Sequence, residues 1–176
     1  MPDSAPRLAP AAEFTGPRRF IFVLLDQFTL MPFASALECL RVANRMAGLA
    51  HYEWRLASEG GGSLSSSSGA TFQSDDDLVE LERGDTVLIC GGTHVQKAAS
   101  KKLLGWLRRE ARKGVVVGGL CTGAYILAKA GLLDGKRATI HWENHDSFAG
   151  EFEDVDLTRS VFVVDGNRIT SAGGTS

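Results

Sequence analysis

The apolar positions fall into two kinds of segment that alternate along the chain. Phe20 to Leu25 and Thr86 to Cys90 are nearly continuous apolar runs, the pattern of strands buried on both faces of a parallel sheet. Tyr52 to Ser58 alternates with period two and predicts a strand with one wetter face. Between the first two strands, Phe33, Leu37, Leu40, Ala43 and Ala47 recur at three and four, with Glu38, Arg41 and Arg45 opposite. This predicts an amphipathic helix over 33–48, with Pro32 tolerated in its first turn and Cys39 as a packed core thiol. Ala99, Leu103, Leu107 and Ala111 predict a second helix, whose other face carries Lys101, Lys102, Arg108, Arg109 and Arg112. That basic face has no interleaved aromatics to stack bases and reads as a solvated outer surface.

The remaining segments follow the same logic. The Gly- and Ser-rich tract 60–69 predicts a flexible loop or loose hairpin. Asp75, Asp76 and Asp77 are expected to cap a short helix beginning near Leu78; a metal site is not expected, because consecutive carboxylates do not converge easily on one ion. Residues 138–143 predict a short strand and 144–152 a helix. Residues 155–157, 161–164 and 168–170 predict strands, the last two forming a hairpin over Asp165-Gly166-Asn167. Strands alternating with helices define an α/β fold, a doubly wound parallel sheet sandwiched by helices. Residues 1–17 hold four of the five prolines and no periodicity, which predicts a disordered leader before one domain over 18–176.

Charge and cysteine usage narrow the partners. The net charge is -2, so nothing global draws the chain to nucleic acid or an anionic membrane. Three cysteines scattered through apolar segments do not form a disulfide framework, and no apolar run approaches the roughly 18 residues of a membrane span. A cytoplasmic protein with no membrane partner, metal or cofactor is expected.

The candidate chemistry centres on Val115 to Ala124, where a β-branched run stops at Gly118-Gly119, Cys121 follows, and Gly123-Ala124 open a helix. A strand–turn–helix elbow needs small residues on both sides of the turn, and Gly119 and Gly123 supply them. The sulfur of Cys121 would sit at a helix N-terminus, where backbone dipoles favour a thiolate. Its thiol is therefore expected to be acidified and to alkylate before Cys39 and Cys90. Gly91, Gly92 and Thr93 end another buried strand and could offer free backbone N–H groups to a ligand at the same sheet edge.

Three segments together resemble one family: Phe28 to Arg45, with Phe-Ala-Ser-Ala-Leu-Glu at 33–38; Gly119 to Gly135; and Ala138-Thr139-Ile140-His141-Trp142-Glu143-Asn144. The likeness is to the amino-terminal domain of AraC-type transcriptional regulators, of the ThiJ/PfpI or class I glutamine amidotransferase-like superfamily. It is greatest to regulators of carnitine, glycine betaine and arginine catabolism. The resemblance implies a flavodoxin-like sensor that binds a small-molecule effector and acts as a homodimer, touching DNA only through a carboxy-terminal domain absent from this chain. It also implies that a sheet-covering helix would follow Gly173-Gly174-Thr175-Ser176.

The superfamily contains enzymes as well, so the alternative is a cysteine-dependent hydrolase or isonitrile-hydratase-like enzyme using Cys121, His141 and Asp26. Its proteases carry a histidine directly after the elbow cysteine, where this chain has Thr122. Isonitrile hydratases carry an acidic residue in the first loop where this chain has Pro32, a place Asp26 could take. A nucleophile without an adjacent base is poorly equipped for hydrolysis. The expected ligand site comprises Phe28, Gly91, Gly92, Thr93, Cys121, Thr122, His141, Trp142 and Glu143. A zwitterion with a quaternary ammonium is expected, its carboxylate on the Gly91-Gly92 amides and the elbow helix, its cation on Trp142 with Phe28. An arginine-like ligand would use Glu143 instead.

Overall fold

The computed structural model describes residues 16–174, so all of the expected leader except Gly16 and Pro17 lies outside the described residues. The central sheet has six strands: β1 Arg18–Leu24, β2 Tyr52–Ala57, β5 Thr86–Cys90, β6 Val116–Leu120, β9 Phe162–Asp165 and β10 Arg168–Ser171. Their order is β2-β1-β5-β6-β10-β9, parallel except for β9, which is antiparallel to β10. Alternate side chains of one strand point to opposite faces, and each face has its own core. Ile21, Val23, Val87, Ile89 and Val117 pack with Leu103, Trp106 and Leu107 of α2 (Lys101–Ala111) and with Ala124, Ile126 and Leu127 of α3 (Gly123–Lys129). Phe22, Leu24, Leu88, Cys90 and Leu120 face the other way, towards Phe33 of α1 (Leu30–Ala47). Each fully buried aliphatic or aromatic side chain contributes about 1.5–3 kcal/mol, so these runs drive the sandwich.

The second face is covered unevenly. Ser171 is level with Leu120 and Phe162, and Ile169 with Gly118 and Val164, so these residues share the α1 face; Phe162 and Val164 nevertheless remain exposed.

Several local expectations are corrected. For the Gly/Ser tract the hairpin alternative holds and the flexible loop does not: β3 Gly62–Ser65 pairs with β4 Thr71–Ser74, and Leu64 and Phe72 pack on the α1-side core. Glycine and serine hide such a strand from periodicity because its stability lies in backbone pairing. No helix follows the aspartates. Asp75 accepts the Leu56 N–H at 2.8 Å, Asp76 pairs with Arg55, and Asp77 accepts the N–H groups of Gly60 and Leu78 while pairing with Lys102. Lys102 and those two N–H groups lower the Asp77 carboxyl to about 2. The carboxylates thus staple loops rather than start a helix. Helix α2 is capped instead by Ser100, which accepts the Leu103 N–H at 2.9 Å.

The stretch 78–81 lies over α2. The Trp106 indole donates to the Val79 carbonyl, and the buried Glu110 accepts the Leu81 N–H at 2.9 Å while pairing with Lys113 and Arg109. Cys39 is exposed rather than core, because α1 buries only Pro32 and Phe33 fully. The strand expected over 138–143 shrinks to β7, Arg137–Ala138, paired with β8, Asp156–Leu157. Beyond it, Thr139 is held by its side chain and N–H, to the Ser160 carbonyl at 2.7 Å and the Thr170 hydroxyl at 2.9 Å. A short 3-10 turn, Trp142–Asn144, then leads into α4, His145–Glu151. Among the described residues no helix is long and apolar enough to cross a membrane.

Candidate functional site

Among the described residues, three that are not glycine have left-handed backbones: Gln27 at φ 60°, His94 at φ 58° and Cys121 at φ 59°. They follow β1, β5 and β6 in turn, so all three lie at the carboxyl edge of the sheet. The chain runs from β1 outward to β2 and from β5 the other way to β6, so the strand order reverses between β1 and β5, the place where open α/β sheets form a crevice. A left-handed conformation at a non-glycine residue costs of order 1–3 kcal/mol and persists where the surroundings impose it.

The packing around Cys121 shows what imposes it. A β-carbon on Gly123 would lie 2.1 Å from the Ile89 carbonyl oxygen, and one on Gly92 would lie 1.9 Å from that of Gln27. The backbones therefore meet without side chains between them, and the Thr122 hydroxyl locks them by donating to the Gly92 carbonyl at 2.8 Å. Cys121 is left at the floor of a cleft of about 340 Å³, with Thr29, His94, Gln96, His141 and Glu143 on its walls.

The thiol is not acidified. Cys121 is only 4% exposed, and burial pushes its thiol above the ordinary cysteine value. The Thr29 hydroxyl, 3.6 Å from Sγ, and the Thr122 N–H pull it back, while Glu143 pushes it further up. His141 directs Nδ1 at Glu143 Oε2, 3.8 Å away. The expected thiolate at the helix N-terminus is thus overturned by desolvation.

Of the expected site residues, Cys121, Thr122, Gly92, Thr93, His141 and Glu143 do line the cleft. Gly91 lies behind it: its N–H donates to the Leu120 carbonyl at 3.2 Å, and its own carbonyl accepts the Thr29 N–H at 2.9 Å. The Thr93 N–H is likewise spent on the Gln27 carbonyl at 3.2 Å. Gly91 serves close backbone approach here, not the exposure of its amide to a ligand. Phe28 is a core residue, edge-on to Phe33 and Phe72 at 5.5 and 5.3 Å. Trp142 is 74% exposed and lines a separate cavity of about 310 Å³ with His145, Asp146, Arg159 and Ala172; its ring tilts against that of His141 at 5.8 Å. The two aromatics therefore do not form a cage over Cys121.

Asp26 is exposed and lines a different hollow with Ser58 and Glu59, so Cys121, His141 and Asp26 do not assemble into one set. Thr29, His94 and Gln96, which line the cleft, were missed. Thr29 stands inside the first family-like segment and could have been found there; the others reach the cleft only through folding. Among the described residues no group of three His, Cys, Asp or Glu side chains could hold a metal ion.

A left-handed cysteine between a parallel strand and a short helix, at the carboxyl edge of a doubly wound sheet, defines a nucleophile-elbow domain. The chain belongs to the DJ-1/PfpI family, which it matches over residues 18–176. It is 46% identical over 158 residues to the HTH-type transcriptional regulator CdhR of Pseudomonas aeruginosa, covering 89% of this chain and 46% of that protein. It is 36% identical over 176 residues to the HTH-type transcriptional regulator GbdR of the same species, covering 100% of this chain and 47% of that protein. The chain thus spans about half the length of these relatives. Among solved structures, an AraC family transcriptional regulator from Pseudomonas putida superimposes with a TM-score of 0.80 at 28% identity, covering 89% of this chain and 84% of that one.

Proposed function

We propose that residues 18–176 are the effector-sensing part of a DNA-binding transcriptional regulator, and that the effector rests in the cleft over Cys121. The similarity to CdhR across nearly the whole chain carries this reading. The chemistry of the cleft supports a sensor over an enzyme. Thr122, not a base, follows the cysteine, the thiol is shifted towards its neutral form, and the histidine faces a carboxylate. DNA contact is assigned to a part of the regulator outside these residues, and paired half-sites would be met by a homodimer in the cytoplasm.

The effector we propose is a small zwitterionic metabolite. With Trp142 outside the cleft, its cationic end is assigned to Glu143 and its polar end to Thr29, His94 and Gln96, which favours an amino or guanidinium group over a quaternary one. Calorimetry with arginine, glycine betaine and carnitine tests this. Binding of arginine, weakened about tenfold (~1.4 kcal/mol) in Glu143→Gln and unchanged in Trp142→Ala, is expected. No binding of any of the three sinks the effector class. Turnover of an amide or isonitrile that Cys121→Ala abolishes would replace the sensor with an enzyme.

A further inference from the structure

The inner side of α1 packs through Phe33, Ala36, Leu37 and Leu40 on the core that the sheet shares with the β3–β4 hairpin. Its outer side is not the polar surface that an amphipathic helix normally turns to water. Met31, Val42 and Met46 are 54, 43 and 81% exposed, and Leu49, just past the Gly48 cap, is exposed as well. Met46 stands four residues after Val42 and Met31 eleven before it, about three turns of helix, so the three form one stripe. An exposed apolar stripe rich in methionine is the composition of a contact surface.

The charges beside the stripe say what fits it. Glu38 and Arg45 are seven residues apart and fall on the same flank. Glu38 is held by Arg41 one turn on, whereas the Arg45 side chain has no carboxylate partner among the described residues. When two identical helices pack antiparallel about a two-fold axis, like flanks face each other. With the axis at Val42, Glu38 faces Arg45 of the second copy, and the same pair forms again on the other side of the axis. Val42 then meets its own counterpart, and Met31 points towards Leu49 of the second copy. A parallel pair would instead bring like charges to the same level.

We propose that the outer face of α1 is the surface through which a second copy of this chain docks, antiparallel, with Val42 on the two-fold axis and a Glu38–Arg45 pair on either side of it. The inference rests on the homodimer assigned above and names its interface. The 18 residues of α1 span only about 27 Å, a contact at the small end of stable interfaces. Association is therefore expected in the micromolar range, with the dilute chain mainly monomeric.

Sedimentation equilibrium of the chain from about 1 to 200 µM should show monomer and dimer in exchange. Glu38→Arg and Arg45→Glu should each weaken the dimer about tenfold or more, and the double variant should recover it. Both positions are exposed, so folding is retained, and the rescue is one that a local effect on either helix would not give. In a Cys39→Ser background, Val42→Cys should join two chains by a disulfide, diamide taking up the two protons and two electrons released. Val164→Cys, on the exposed edge strand β9, should not. A monomer throughout the range, or a dimer that neither charge reversal weakens, overturns the proposal. Cross-linking through Val164→Cys and not Val42→Cys moves the contact to β9 and overturns it too. Calorimetry with arginine is scored separately: a dimer of this form that binds no arginine, glycine betaine or carnitine keeps the interface and removes the effector class, whereas a strict monomer that binds arginine keeps the sensing cleft and removes the interface.

Discussion

Strands β5 and β6 lie side by side, and each brings a cysteine to the same edge of the sheet with opposite results. Cys90 is the last paired residue of β5, level with Leu120; it points into the α1-side core, where burial alone drives its thiol far above the ordinary range. Cys121 comes one residue after that ladder ends. Freed from pairing, its backbone turns left-handed and its sulfur meets Thr29 and the cleft. One step of register at a strand end separates a packing thiol from one that lines a cleft. What permits the step is the absence of side chains where the turns after β1, β5 and β6 touch.

The most damaging way to break this contrast is to fill that contact. Gly92→Ala should lower stability by about 3 kcal/mol or more, since its β-carbon would meet the Gln27 carbonyl and backbone cannot yield cheaply. A fall in the midpoint of chemical denaturation checks it; an unchanged midpoint would mean that the elbow is looser than drawn. Next in size is thiol accessibility. Iodoacetamide should modify exposed Cys39 first, Cys121 on the order of a hundredfold more slowly, and Cys90 only on unfolding. Mass spectrometry of timed samples gives the order, and Cys121 reacting first would restore the acidified-thiol expectation.

The smallest effects sharpen the electrostatics of the pair. Burial raises the Cys121 thiol, so its alkylation should climb with a midpoint above the free-cysteine value of about 8.5. Thr29→Val removes a group that favours the thiolate and should move the midpoint up. Glu143→Gln removes a charge that opposes it and should move the midpoint down, only slightly because Glu143 is largely solvated. Shifts of the same sign in both variants would contradict the arrangement of the cleft.

The fold was largely legible because its strands are apolar runs and its long helices are periodic, and both are local signals. The elbow was legible for the same reason: Gly119, Cys121 and Gly123 lie within five residues. What could not be read was direction. Nothing in the neighbours of Phe28 says that it turns towards Phe33 and Phe72, or in those of Trp142 that the adjacent His141 faces the cleft while it does not. The Gly91 amide was misjudged because its acceptor, Leu120, is 29 positions away. Nor does the sequence show that a β-carbon on Gly173 would crowd the Cys121 sulfur, which lies more than 50 residues earlier.

The Glu110 carboxylate under the 78–81 segment makes proton uptake a structural event. Burial alone would raise this acid, but Lys113, the Leu81 N–H and Arg109 outweigh it and hold the carboxyl below its ordinary range. The stabilisation from this clamp is complete above the unfolded-state value of about 4.3 and disappears as the pH falls through the lower folded-state value. The segment over α2 should therefore be an early casualty of acid, loosening near Trp106 before the sheet edge that holds Cys121. Trp106 emission lost at a higher pH than the far-ultraviolet signal of the helices would reveal that order, and simultaneous loss would show that clamp and sheet unfold as one unit.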